Sequence, residues 1–168
     1  QVSIAVTALA SVVTTAGGRT FADDRLVLAP GIEFMWDSIK SYAANPERAT
    51  EIAPHAWQAG PQTVLLRRQL ESMRDGGVYA LSIPVAPYRC PPGPYERACQ
   101  VAWYFKRAKP KSKVLVLDGN PDVTSKAGLF KKAWNEEYKG LVEYRPNHVL
   151  TDVDLATKTA KFETADDV

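Results

Sequence analysis

The sequence contains no Gly-x-Gly-x-x-Gly motif in its 168 residues. That motif forms the glycine-rich turn that binds a dinucleotide pyrophosphate between a strand and a helix. No apolar run is long enough to cross a bilayer, and no signal peptide is visible. We therefore expect no nucleotide-binding fingerprint within these residues and no membrane span.

Neither sign of charge is in large excess, because 21 Lys and Arg residues are balanced by 19 Asp and Glu residues, giving a formal net charge of +2. A balance this close to zero does not favour nucleic acid or a membrane surface as a partner. The basic cluster Lys106–Lys113 is typical of a solvated helix end and loop. We expect no nucleic-acid partner.

Cysteine and histidine are scarce, with two of each. Cys90 and Cys99 form no Cys-x-x-Cys pair and no Cys-x-x-Cys-His haem attachment site. His55 has no second ligand at metal spacing, so we interpret it as a structural residue beside Trp57. No metal site is expected.

The central part of the chain alternates strand and helix patterns. Pro61–Arg74 has proline in its first turn and an apolar stripe at helical spacing, which predicts a helix. The predicted elements that follow are strand Val78–Ile83, helix Tyr95–Lys106, strand Lys113–Leu117, helix Ala127–Tyr138 and strand Leu141–Tyr144. This β-α-β-α-β series predicts an α/β fold with a three-layer, Rossmann-like domain of the kind that binds NAD.

The two flanks of this domain have strand and turn patterns. Short strands are predicted at Val2–Leu9, Val12–Thr15 and Arg25–Ala29, with a tight turn at Gly17–Gly18. Met35–Gln58 is predicted to be irregular, with Pro46 and Pro54 as breaks. A closing hairpin is predicted over His148–Asp152 and Lys158–Glu163, at the end of the chain.

The turn between Val78–Ile83 and the next helix stands where a phosphate-binding loop would stand, but four of the eleven residues in Pro87–Arg97 are proline. Proline has no N–H to offer a phosphate. The turn instead places a thiol at a helix start, with Arg89 and Arg97 on either side and Glu96 one turn on. A helix dipole and guanidinium groups favour the thiolate, so we predict that Cys90 is reactive.

Asp118 ends the second strand of the series, where an acid usually binds a ribose hydroxyl. Since the phosphate loop is replaced by prolines, we interpret Asp118 as a relic of that role or as a helix cap. A disulfide between Cys90 and Cys99 is not expected, because the Cβ of Cys99 is predicted to point along the helix face.

Several long strings resemble the flavoprotein subunit of flavocytochrome c sulfide dehydrogenase, which belongs with the sulfide:quinone reductases in the superfamily of two-dinucleotide-domain flavoproteins. The string Arg89–Ala98 carries the strongest resemblance. Three others occur in the same order, at Asp24–Glu33, His55–Thr63 and Lys109–Val114. The resemblance implies that this chain is an internal fragment with three parts: the end of the FAD-binding region (1–60), a second, degenerate NAD-type domain (61–150) and the start of a return hairpin (151–168).

The resemblance also implies a function and a set of site residues. Cys90 matches the first cysteine of a redox-active disulfide beside the flavin, and Glu96 matches the family's glutamate near the sulfur, where it would be placed to take the substrate proton. Ala29, Pro30 and Gly31 match the crossover that runs past the FAD, and Val6 matches a strand residue whose backbone meets the adenine. Hydrosulfide would attack the disulfide, and two electrons would pass to FAD and then to a c-type haem on a separate cytochrome subunit, in the periplasm.

Two other functions stay open at this stage. The first is a nicotinamide-dependent flavin disulfide reductase, against which the prolines of the turn argue. The second is a non-catalytic module that presents its Rossmann half to a cytochrome. By itself the fragment is expected to be inactive, because it lacks the flavin fingerprint.

Overall fold

The computed structural model describes residues 2–7, 10–25, 27 and 33–168, and divides the chain into two compact units, Gln1–Phe34 and Met35–Val168. The first unit contains an antiparallel sheet of β1 (Val2–Thr7), β2 (Ala10–Thr15) and β3 (Thr20–Asp23). The predicted glycine turn connects β2 to β3; Gly18 has a φ of 77° and its N–H donates to Thr15 O at 2.9 Å. The strand predicted at Arg25–Ala29 lies largely outside the described residues.

The second unit is built on a parallel sheet of β4 (Val78–Ile83), β5 (Lys113–Asp118) and β6 (Val142–Arg145), in that order. Helix α4 (Gly93–Ala108) connects β4 to β5, and helix α5 (Ala127–Glu136) connects β5 to β6. The predicted β-α-β-α-β series is confirmed, with element ends that differ by one to two residues. The α/β, Rossmann-like fold follows from it.

Strand β5 separates two clusters of buried side chains because its residues alternate between the two faces of the sheet. Val114 and Val116 pack with the apolar side of α4, which includes Phe105. Leu115 and Leu117 face the other way and pack with Phe162. Phe162 belongs to the hairpin of β7 (Leu150–Asp154) and β8 (Thr159–Phe162), so helices, sheet and hairpin form three layers.

Met35–Gln58 contains more helix than the sequence predicts. A 3-10 turn (Trp36–Ser38) is followed by α1 (Lys40–Ala44) and α2 (Pro46–Ile52). Pro46 begins α2 instead of interrupting a helix, because the first helical position needs no N–H donor. Asn45 caps this helix by accepting a hydrogen bond from Arg48 N at 2.9 Å.

Lys109 is buried, although its basic cluster predicted a solvated loop. Its side chain is 8% exposed, and Nζ donates to the carbonyl oxygens of Leu70 and Glu71, both at 2.7 Å, and to that of Met73. These carbonyls end helix α3 (Pro61–Ser72) and have no partner within the helix. The ammonium group therefore caps the negative end of α3.

We expect Lys109→Met to lower the free energy of unfolding by about 2–3 kcal/mol, because it leaves these carbonyls without their charged donor. Urea unfolding followed by tryptophan fluorescence measures this change. Lys132→Met is the matched control, since Lys132 forms an exposed ion pair with Glu136 that is worth about 0–1 kcal/mol. Equal losses in the two variants would contradict the capping role of Lys109.

Candidate active site

Cys90 lies in the turn between β4 and α4, at the carboxyl edge of the parallel sheet, where open α/β sheets bind their ligands. Its side chain is exposed, and its φ of 55° is in the left-handed region that non-glycine residues rarely adopt. Gly93 N–H donates to Cys90 O at 2.9 Å and closes the turn at the start of α4. The predicted position of the thiol beside a helix N-terminus is therefore observed.

The same turn is a poor site for a dinucleotide phosphate. Pro92 occupies the N-cap of α4 without a side-chain cap, and Pro94 stands within the first helical positions. Neither can offer an N–H, so the helix start lacks the donors that hold a pyrophosphate. The residues present at this edge do not fit a bound dinucleotide.

Asp118 is fully buried, and both of its carboxylate oxygens are occupied. Oδ2 accepts from the hydroxyls of Tyr95, at 2.7 Å, and Tyr144, at 3.0 Å. Oδ1 accepts from Asn120 N at 3.0 Å and from Asn120 Nδ2 at 2.7 Å. A carboxylate offers about four acceptor positions, so none is left for a ribose hydroxyl.

The interpretation of Asp118 as a helix cap is wrong, because α5 begins nine residues later and Lys126 is its N-cap residue. Asp118 instead anchors a buried cluster of polar groups. Burial raises the pKa of Tyr95 and of Tyr144 far above the usual value, and hydrogen bonding to Asp118 raises both further. Both hydroxyls therefore stay protonated and keep donating to Asp118.

The cluster holds the segment that leads into the Cys90 turn. Asn120 Nδ2 donates to Pro84 O at 2.9 Å, and Asn120 Oδ1 accepts from Ala86 N at 2.9 Å. Asn120 was missed in the sequence, although an amide two residues after a strand-ending aspartate is a signal that could have found it. The same is true of Tyr95, a buried aromatic whose polar tip needs a partner.

Gly93 leaves space beside the sulfur. A Cβ at this position would lie 3.3 Å from Cys90 Sγ and 3.7 Å from Cη2 of Trp57. Cys90 Sγ and the edge of the Trp57 ring therefore both border the space beside Gly93. Trp57 is 38% exposed and lies beside Cys90.

Glu96 is exposed in the first turn of α4. Among the hydrogen bonds of the described residues, none joins its carboxylate to Cys90. Its charge acts on Cys99, one turn further along the helix. Arg97 lines a cavity of about 210 Å³ together with Tyr79, and its charge acts on that hydroxyl.

Cys99 is a free, half-buried thiol, as is expected if it forms no disulfide with Cys90. Burial raises its pKa, the neighbouring Trp134 indole lowers it, and the negative charge of Glu96 raises it. The net shift is upward. Cys99 lines an open groove of about 590 Å³ whose walls also include Trp103, Tyr104 and Tyr138.

We expect Cys99 to react with iodoacetamide only at higher pH than an ordinary cysteine does, because the thiolate is the nucleophile and the raised pKa reduces its fraction. Mass spectrometry of the Cys99 peptide across a pH series measures this shift. The urea-unfolded chain is the control, since unfolding removes the burial. Identical pH profiles in the two states would contradict the prediction.

The residues expected to meet FAD are described only in part. Val6 lies in β1, where its backbone pairs with that of Ser11 in β2. Ala29, Pro30 and Gly31 lie outside the described residues.

No group of three or more His, Cys, Asp or Glu side chains able to hold a metal occurs in the described part of the chain. His55 Nδ1 accepts from Trp57 N at 3.2 Å.

Within residues 2–7, 10–25, 27 and 33–168, no helix combines the length and apolar character needed to cross a membrane.

The chain has structural similarity to the sulfide:quinone oxidoreductase of the hyperthermophilic bacterium Aquifex aeolicus, with a TM-score of 0.59 and 17% sequence identity. The match covers 94% of this chain and 37% of that one, so this chain spans little more than a third of that relative. At this identity the likeness shows the fold alone.

A family model matches more directly. The model described as the central part of the flavoprotein chain of sulfide dehydrogenase (flavocytochrome c) matches residues 63–168. The matched range is more than half of the chain, and it contains the parallel sheet, the Cys90 turn and the Asp118 cluster. The chain therefore belongs to the family of the flavocytochrome c sulfide dehydrogenase flavoprotein chain.

Proposed function

We propose that this chain is a central piece of a flavoprotein that oxidises hydrosulfide, with Cys90 as one half of a redox-active disulfide. The observation that carries the proposal is an exposed thiol at the carboxyl edge of a parallel sheet whose phosphate loop is replaced by prolines. The family resemblance implies that the second cysteine comes from a part of the protein outside residues 1–168. Cys99 is not proposed for this role, since it lines a separate groove.

The proposed step is a thiol–disulfide exchange. Hydrosulfide attacks one sulfur of the disulfide, a new S–S bond forms, and the old S–S bond breaks. The other cysteine leaves as a thiolate that carries the electron pair of the broken bond. The pair is released for transfer when the two cysteines form their disulfide again and the oxidised sulfur leaves. FAD would be the two-electron acceptor, with the crossover Ala29–Gly31 and Val6 as the residues that would hold it, and a c-type haem on a separate cytochrome subunit would be the final acceptor.

A periplasmic location suits this chemistry, since disulfides persist in oxidising compartments. The proposed division into parts at 1–60, 61–150 and 151–168 stays a prediction. The protein needs its remaining parts for activity, because these residues carry no glycine-rich FAD-binding loop.

Anaerobic addition of sulfide to the whole flavoprotein with its cytochrome tests the proposal. We expect the flavin absorbance to bleach first and the reduced haem bands to follow. Bleaching by NADH and not by sulfide would identify a nicotinamide-dependent disulfide reductase, which the saturated Asp118 and the proline turn argue against. Cytochrome binding without bleaching by either reductant would identify a docking module.

Glu96 is proposed to accept the substrate proton. We expect Glu96→Gln to slow sulfide oxidation mostly at low pH, where hydrogen sulfide still carries its second proton and a base is needed. Stopped-flow flavin reduction across a pH series measures this effect, and Glu136→Gln, on the exposed side of α5, is the matched control. An unchanged pH profile would return Glu96 to the role of a first-turn acid that stabilises α4.

A further inference from the structure

The hydroxyl of Tyr88 contacts the Cys90 turn at the carbonyl oxygen of Pro91. Tyr88 precedes Cys90 by two residues, and its hydroxyl donates at 3.3 Å to the carbonyl oxygen of Pro91, the residue after Cys90. The same hydroxyl lies 2.7 Å from Thr124 Oγ1. Either hydroxyl can be the donor at 2.7 Å, and the Tyr88 proton is available to Pro91 O when Thr124 donates. The Tyr88 hydroxyl also lies 3.4 Å from the Tyr95 hydroxyl.

Tyr88 and Thr124 are connected by hydrogen bonds to the buried Asp118–Tyr95 pair. Thr124 N–H donates to the Tyr95 oxygen at 3.1 Å, and the Tyr95 hydroxyl donates to Asp118 at 2.7 Å. Tyr95 and Asp118 are both fully buried. A continuous chain of hydrogen bonds therefore runs from the buried carboxylate to the carbonyl beside Cys90.

The turn needs this support. A cysteine with a φ of 55° persists in that conformation only when its surroundings hold it. Exchange at a disulfide also depends on the position of the sulfur, since a displacement of about 1 Å can cost a large part of the rate.

We propose that Tyr88 and Thr124 are positioning residues for Cys90, which fix its turn to the Asp118–Tyr95 pair. The expected loss of kcat rests on the proposed function. The expected loosening of the Cys90 turn rests on the contacts alone. It gives Asp118 a role in this family fold in place of ribose binding.

The test uses the whole flavoprotein and the variants Tyr88→Phe and Thr124→Val. We expect each to raise amide hydrogen exchange in the peptide that contains Gly93 N–H by about tenfold, and to lower kcat for sulfide by about tenfold at unchanged KM. The double variant should be no worse than Tyr88→Phe, because both changes remove the same link.

Tyr144→Phe is the matched control, because it also removes a hydroxyl from Asp118 Oδ2 but leaves the link to the turn intact. We expect it to lower the melting temperature without raising exchange in the Cys90 turn. Unchanged exchange in Tyr88→Phe would overturn the proposal, and so would an equal rise in Tyr144→Phe. If sulfide fails to reduce the unmodified flavoprotein, the proposed function fails, while the exchange measurement still decides the positioning role.

Discussion

Replacing Cys90 with serine in the whole flavoprotein is expected to abolish sulfide-driven reduction of the flavin while FAD stays bound. A serine hydroxyl can neither form nor break a disulfide, so the electron pair of hydrosulfide has no acceptor bond to enter. The position of Cys90 makes it available for this exchange, because the side chain is exposed at the edge of the sheet. Stopped-flow flavin absorbance under anaerobic conditions measures the rate, and the flavin spectrum reports the bound cofactor.

Cys99→Ser is the matched control for this variant. Cys99 is the other free thiol among the described residues, and it lies on the groove with Trp103 and Tyr138. We expect it to keep the rate of the unmodified protein. Sulfide oxidation at an undiminished rate in Cys90→Ser would remove Cys90 from the mechanism.

The elements that the sequence predicts well have a strong local pattern. The apolar run Val78–Ile83 and the run Lys113–Leu117 both became strands of one parallel sheet. Helix α3 was found from proline at its first turn and from its apolar stripe. In each case the local signal and the tertiary environment agree, which is the condition for reliable prediction.

The features that the sequence misses have two causes, one local and one that depends on contacts between distant residues. Proline at position 46 is compatible with either a break or a helix start, and the cap by Asn45 decides between the two. Lys109 became buried because the end of α3, almost forty residues earlier, offers three carbonyl oxygens. The Asn45–Pro46 signal is local and was read as a break, whereas the partners of Lys109 cannot be identified from that residue or from its neighbours in the chain.

The candidate site shows the same division. Cys90 was found because the turn has the position of a phosphate loop and the wrong residues for one. Its supports, Tyr88 and Thr124, were not found, because they meet only after β5 and the β4–α4 turn come together at one edge. Asp118 was placed correctly at the end of its strand, but its partners Tyr95 and Tyr144 come from other elements.

Asp118 is the residue whose loss we expect to destabilise the second unit most. The variant Asp118→Ala leaves the Tyr95 and Tyr144 hydroxyls and the Asn120 amide without their acceptor, in a region closed to water. Removing the charged partner of a buried hydrogen-bonded set costs about 3–5 kcal/mol. That is a large part of the stability of an ordinary domain, which is about 5–15 kcal/mol.

Urea unfolding of the chain measures this loss, and Trp134, which stacks on Tyr144 at 5.4 Å between ring centroids, provides the fluorescence signal. The matched control is Asp122→Ala, four residues further along the chain. Asp122 forms an exposed ion pair with Lys131, so we expect a loss of about 0–1 kcal/mol. A loss in Asp118→Ala as small as that of the control would mean that the tyrosine hydroxyls find other acceptors, and Asp118 would then not be the anchor of the cluster.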